Sequence, residues 1–99
     1  MNNQCEQNKI VSAHLLISGR VQGVGFRKFS QAAALRLQLS GTVRNLTDGR
    51  VELRVEGEPT KIETLIQQLR QGPDRSEVDQ VDVSWRSSVE GYPIFSIML

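Results

Sequence analysis

Between residues 51 and 69 the hydrophobic period of this chain changes from two to 3.6, and few folds can accommodate that change. Val51-Glu52-Leu53-Arg54-Val55-Glu56 alternates apolar and charged residues throughout, the pattern of a strand with one packed face. After Gly57-Glu58, Pro59 suits a helix's first position, and Ile62, Leu65, Ile66 and Leu69 fall at i, i+3, i+4 and i+7. A strand must hand over to an amphipathic helix at once, with both apolar faces turned to one core. The alternation predicts that Glu52, Arg54 and Glu56 share the solvated side of that strand. Gly72-Pro73 ends the helix, and a polar loop follows.

The remaining elements fit around this pair. Thr42-Val43-Arg44-Asn45 runs into Leu46-Thr47-Asp48-Gly49, and Asp-Gly between extended runs marks a hairpin. Upstream, Phe26, Phe29, Ala33 and Leu37 repeat at helical spacing, with Lys28 and Arg36 free to meet water. Ala13-His14-Leu15-Leu16-Ile17-Ser18, closed by Gly19, reads as a first strand with Ala13, Leu15 and Ile17 on one face and His14 on the other. Val81-Asp82-Val83-Ser84-Trp85 alternates again, and Phe95 and Ile97 in the closing run read as core. The order strand, helix, strand, strand, helix, strand, strand predicts an α+β chain with the split βαβ arrangement of a ferredoxin-like sandwich. In that arrangement an antiparallel sheet of four to five strands carries two helices on one face. A length of 99 residues suits one domain, expected over residues 11–99 behind a flexible polar tail at residues 1–10.

Composition narrows the function classes. Twelve Lys and Arg against 11 Asp and Glu leave a net charge of +1, which lacks the electrostatic footprint of a nucleic-acid or anionic-membrane binder. No run approaches the roughly 18 apolar residues of a membrane helix. The lone cysteine, Cys5, has no internal disulfide partner, and the polar start lacks a secretory layout, so the expected compartment is the cytoplasm. The absence of a coiled-coil pattern points to a monomer. Any anion must be gripped locally.

One segment is built for such a grip. Gly19-Arg20-Val21-Gln22-Gly23-Val24-Gly25 places three glycines in seven residues and runs straight into a helix. A helix start offers unpaired N–H groups and the positive end of the dipole, a ready pocket for phosphate or carboxylate. Arg27 lies in the first helical turn, where a cation is unfavourable for the dipole by about 0.3–1 kcal/mol, and its planar fork of donors could clamp an anion there. The same residues also fit a plain strand-to-helix connection with Arg27 solvated. Neither nucleotide-binding pattern fits, since the third glycine of G-x-G-x-x-G and the Lys-Ser/Thr ending of a Walker loop are both absent. Asn45, at a strand end before the turn, can donate and accept and so could hold a water, though asparagine before a turn usually serves the backbone.

The missing residue types shape the chemistry. His14 is the only histidine and falls on a sheet face, Cys5 has no basic neighbours to lower its pKa, and no Cys/His/carboxylate set has metal-ligand spacing. A catalyst built here works by positioning and charge stabilisation. Acyl-phosphate hydrolysis suits those limits, because the leaving carboxylate departs unprotonated and the transition state is loose and anionic.

Gly19-Arg20-Val21-Gln22-Gly23-Val24-Gly25-Phe26-Arg27, Gly41-x-Val43-x-Asn45, Asp48-Gly49-x-Val51-Glu52, Gly72-Pro73 and Phe95-x-Ile97 together resemble the acylphosphatase family, from about Ala13 to Ile97. The resemblance implies a small cytoplasmic enzyme, without metal or cofactor, that hydrolyses carboxyl-phosphate anhydrides to a carboxylate and inorganic phosphate. It places the phosphate cradle at Arg20, Val21, Gln22, Gly23 and Val24, the phosphate-binding arginine at Arg27 and the water-orienting asparagine at Asn45. Where relatives usually read Leu-Gly-Leu-x-Gly-Trp-Val, this chain reads Leu37-Gln38-Leu39-Ser40-Gly41-Thr42-Val43, which bears on local packing. Two other readings share these features. One is a non-catalytic anion-binding module of the same fold. The other is the N-terminal module of a hydrogenase-maturation carbamoyltransferase, against which an end at Leu99 argues.

Overall fold

The computed structural model describes residues 9–99; residues 1–8, with Cys5 and most of the expected 1–10 tail, lie outside the described residues. The described chain forms β1 (Val11–Arg20), α1 (Phe26–Arg36), β2 (Ser40–Asn45), β3 (Val51–Gly57), α2 (Pro59–Gln71), β4 (Glu77–Arg86) and β5 (Phe95–Ile97). One sheet runs in the order β4-β1-β3-β2-β5. Hairpin β2–β3 pairs antiparallel with Asn45 opposite Val51, and β3 pairs antiparallel with β1.

The ferredoxin-like α+β arrangement is present, with one amendment to the expected antiparallel sheet: β5 runs parallel to β2, with Gly41 opposite Phe95 and Val43 opposite Ile97. The direction follows from the path. β4 is antiparallel to β1 and so ends where β1 and β2 begin, and a strand entered from that end must run their way. The chain then closes on β2 through the Met98 N–H, which donates to the Val43 carbonyl at 2.8 Å.

The core lies between the sheet and the helices. Ala13, Leu15 and Ile17 of β1, Val51, Leu53 and Val55 of β3, and Ile62, Leu65, Ile66 and Leu69 of α2 are all buried, as the two periods require. Phe26, Ala33 and Ala34 of α1 join them, while Phe29 and Leu37 are only partly buried. Pro59 opens α2 and Gly72, at φ +67°, ends it.

Three expectations need correction. Glu52 and Glu56 are buried rather than wet, because β3 is central and neighbouring groups cover its outer face; Arg54 alone of the three is exposed. β4 starts at Glu77, four residues earlier than Val81, because β1 itself continues past Gly19 to Arg20. The ladder slips there, and a Cβ on Gly19 would meet the Glu77 carbonyl oxygen at 2.1 Å, so this glycine lies inside a bulged strand rather than ending one.

The departure at Gln38 has a structural counterpart. Gln38 is the one non-glycine described residue at positive φ, +60°, and its Oε1 accepts from Lys61 Nζ at 2.8 Å. A side chain in the left-handed region costs about 1–2 kcal/mol, and an exposed hydrogen bond to a lysine returns less than that. Gln38→Gly should therefore raise stability by about 1 kcal/mol in urea unfolding, and an unchanged or lower midpoint would show that the lysine contact outweighs the backbone.

Candidate active site

Five residues, Val21 to Gly25, connect β1 to α1. Val21 is buried and anchors the start, while Val24 leans half-buried against the core. Gly23 and Gly25 take φ of +76° and +80°. Added Cβ atoms would meet nothing there, so the need for glycine is conformational and not steric. Among the described residues, no N–H from Val21 to Gly25 donates to another main-chain group. The Gly25 carbonyl accepts the first helical bond, from the Phe29 N–H at 3.0 Å, and Gly25 supplies no side-chain cap. The loop thus presents free donors at the positive end of α1.

An open cavity of about 170 Å³ lies against these donors. Val21, Gly23 and Gly25 line it from the loop, Arg27 and Lys28 from the first turn of α1, and Asn45 from the end of β2. Two cations and no carboxylate face it, so an anion is the favoured occupant. The space is below the roughly 300–1,000 Å³ of pockets for drug-sized ligands, which suits a phosphate bearing a small substituent. Arg27 is half-buried, and its Nη1 donates to the Met98 carbonyl across a long 3.4 Å, which leaves most of its fork unengaged. Asn45 Oδ1 is buried and has no hydrogen-bond partner. Such an atom costs about 1–3 kcal/mol unless something donates to it.

The residues singled out in the sequence divide into two groups. Val21, Gly23, Arg27 and Asn45 converge on the cavity. Arg20, Gln22 and Val24 do not line it: Arg20 is exposed at the end of β1, and the Gln22 side chain turns to the hairpin. Lys28 is exposed, as its spacing predicts, yet also borders the cavity, and the sequence attached no role to it or to Met98. Nothing in the local pattern marks Met98, because its carbonyl reaches Arg27 only once β5 has paired with β2.

Behind the site, the outer face of the sheet is tied by Glu52. His14 Nε2 donates to its Oε2 at 2.7 Å and Arg44 Nε to its Oε1 at 2.6 Å, linking β1, β3 and β2. Burial pushes the Glu52 carboxyl up, but the His14 and Arg44 hydrogen bonds and the Arg44 and Arg54 charges outweigh it, so the group sits below its usual pKa. Arg44 immediately precedes Asn45, so this ion pair steadies the strand end that delivers the carboxamide.

Comparison with known proteins follows the same residues. A family model described as Acylphosphatase matches residues 13–97. An acylphosphatase of Thermococcus kodakarensis is 47% identical over 88 residues, covering 87% of this chain and 97% of the relative. The crystal structure of acylphosphatase from Bacillus subtilis matches with a TM-score of 0.88 at 37% identity, over 90% of this chain and 99% of that one. The structure of an acylphosphatase from Coxiella burnetii matches at 0.87 and 39% identity, over 94% of this chain and 96% of that one.

The lowered carboxyl of Glu52 sets a pH dependence. Its contribution to stability is complete above the unfolded glutamate pKa of about 4.3, and it is lost as pH falls through the lower folded value. The stability gap between the native chain and Glu52→Gln, read from urea midpoints, should be widest above about pH 5 and shrink toward pH 3. A gap that stays constant over that range would show that the carboxylate charge is not what the cluster uses.

Proposed function

This chain belongs to the acylphosphatase family and hydrolyses acyl phosphates to a carboxylate and inorganic phosphate, and from that premise we propose which groups do the work. The phosphate sits in the cavity at the start of α1, held by the unpaired N–H groups of the Val21–Gly25 loop and by the fork of Arg27. Asn45 accepts a hydrogen from the attacking water through Oδ1 and turns a water lone pair toward phosphorus. The new bond joins water oxygen to phosphorus, and the bond from phosphorus to the acyl oxygen breaks. The acyl oxygen keeps the electron pair and leaves as carboxylate, with no proton needed. A phosphate oxygen takes the proton of the water, so no protein base is invoked.

The observation that carries this reading is the orphan Asn45 Oδ1: a buried acceptor without a donor, in the same cavity as Arg27. Bound water would satisfy it and place the nucleophile in one step. Main-chain donors and the guanidinium fit the planar transferring group, whose charge is spread over its three equatorial oxygens, so their effect is larger in the transition state than in the ground state. Among the described residues no group of three or more His, Cys, Asp and Glu could hold a metal ion, and charge stabilisation in this mechanism rests on Arg27 and the loop.

The reading also takes residues 11–99 as the catalytic unit and the protein as a cytoplasmic monomer, the compartment supported by the single cysteine and the monomer by the absence of a coiled-coil pattern in the sequence. No helix among the described residues is long and apolar enough to cross a membrane.

Purified protein should hydrolyse benzoyl phosphate in the presence of a chelator, whereas a pure anion-binding module would bind phosphate and leave the anhydride intact. Arg27→Gln should lower kcat/KM by at least about 100-fold and weaken competitive inhibition by phosphate, and Arg27→Lys should restore little, since an ammonium cannot form the fork. Asn45→Ala should lower kcat by about 100-fold and leave the phosphate inhibition constant nearly unchanged. Full turnover in Asn45→Ala would remove the water-placing role.

A further inference from the structure

Gln22 contributes its backbone to the loop, but its side chain points elsewhere. Its Nε2 donates to the Leu46 carbonyl at 2.7 Å and to the Arg50 carbonyl at 2.9 Å. These two residues are the closing pair of the β2–β3 hairpin, where the Leu46 N–H also donates to the Arg50 carbonyl at 2.8 Å. Leu46 directly follows Asn45. Both hydrogens of one amide are thus spent on the main chain of the turn that carries the orphan carboxamide.

The geometry gives that grip a purpose. The two halves of the site grow from the ends of β1 and β2, which are separated in the sheet by β3. Two strand spacings make a gap of about 10 Å, wide enough for the halves to shift against each other. The outer face is pinned by Glu52, one residue inside the start of β3, and beyond the strand ends the Gln22 bonds tie loop to hairpin. Asn45 Oδ1 has no partner of its own, so no local bond orients it.

We infer that Gln22 is a positioning residue for this reaction: its side-chain amide sets the offset between the phosphate cradle and Asn45 without touching substrate. The inference rests on the water-placing role of Asn45. The acceptors are main-chain carbonyls, so the contact is controlled from the Gln22 side alone. A shift of the order of 1 Å between phosphate and water costs about 100-fold in rate in comparable sites, so loosening the grip lowers kcat more than it weakens phosphate binding.

A double-mutant cycle with Asn45→Ala tests this. Gln22→Ala should lower kcat about 10-fold in the native background, with the phosphate inhibition constant changed less than about twofold. In the Asn45→Ala background the same substitution should change kcat less than about twofold, because the group it positions is gone. Gln22→Met, nearly the same size and uncharged but with no donors for the two carbonyls, should repeat the pattern and serves in place of the alanine variant should that one fail to fold. A kcat loss equal in both backgrounds, or a loss confined to phosphate affinity, would overturn the inference while leaving the Asn45 role intact. Full turnover in Asn45→Ala alone would instead sink the reading on which it rests.

Discussion

Main-chain N–H groups without protein acceptors at a helix start make a site for an anion, and the turn from Val21 to Gly25 holds a run of them. The rest of the structure can be understood as what keeps that turn open. Two glycines in the left-handed region shape it, the buried Val21 fastens it to the core, and Phe26 sinks the first helical turn beneath it. Held apart, the loop's donors form with Arg27 a small electropositive cup, useful only when an anion fills it.

The sheet's outer face holds the second half in place. Glu52 and Glu56 are buried carboxylates on a central strand, and each is satisfied by several donors. Glu52 takes hydrogen bonds from His14 and Arg44, while Glu56 accepts from the main-chain N–H groups of Glu90, Gly91 and Tyr92. Buried charges of this kind add little net stability beyond what apolar packing would supply, but removing a partner is costly, so they define a unique arrangement. Here that arrangement ties β1, β2 and β3 together, fastens the 90–92 segment over the sheet, and brings the end of β2 to the cavity.

The fold was legible wherever a residue's fate depends on its near neighbours in the chain. Ile62, Leu65, Ile66 and Leu69 are buried as their spacing requires, and Asp48-Gly49 makes its turn, with the Asp48 carboxylate accepting from the Arg50 N–H. Two cavity-lining side chains were legible too: Arg27 and Asn45 were singled out by type and position, and both reach the cavity. The alternation in β3 misled on one point. A period of two says which residues share a face, but whether that face is wet depends on what else covers it.

The sequence by itself determined the element order, the apolar faces, the glycines that permit the open turn, and which side chains carry donors, because each is a local property of spacing, propensity or residue chemistry. Tertiary structure alone decided the burial of Glu52 and Glu56, the direction of β5, the place of Lys28 in the cavity and the grip of Gln22 on the hairpin. Each of these depends on which strand lies beside which. Contacts between residues far apart along the chain, such as Gln22 with Arg50 and Arg27 with Met98, arise only when the sheet has assembled and brought those strand ends together.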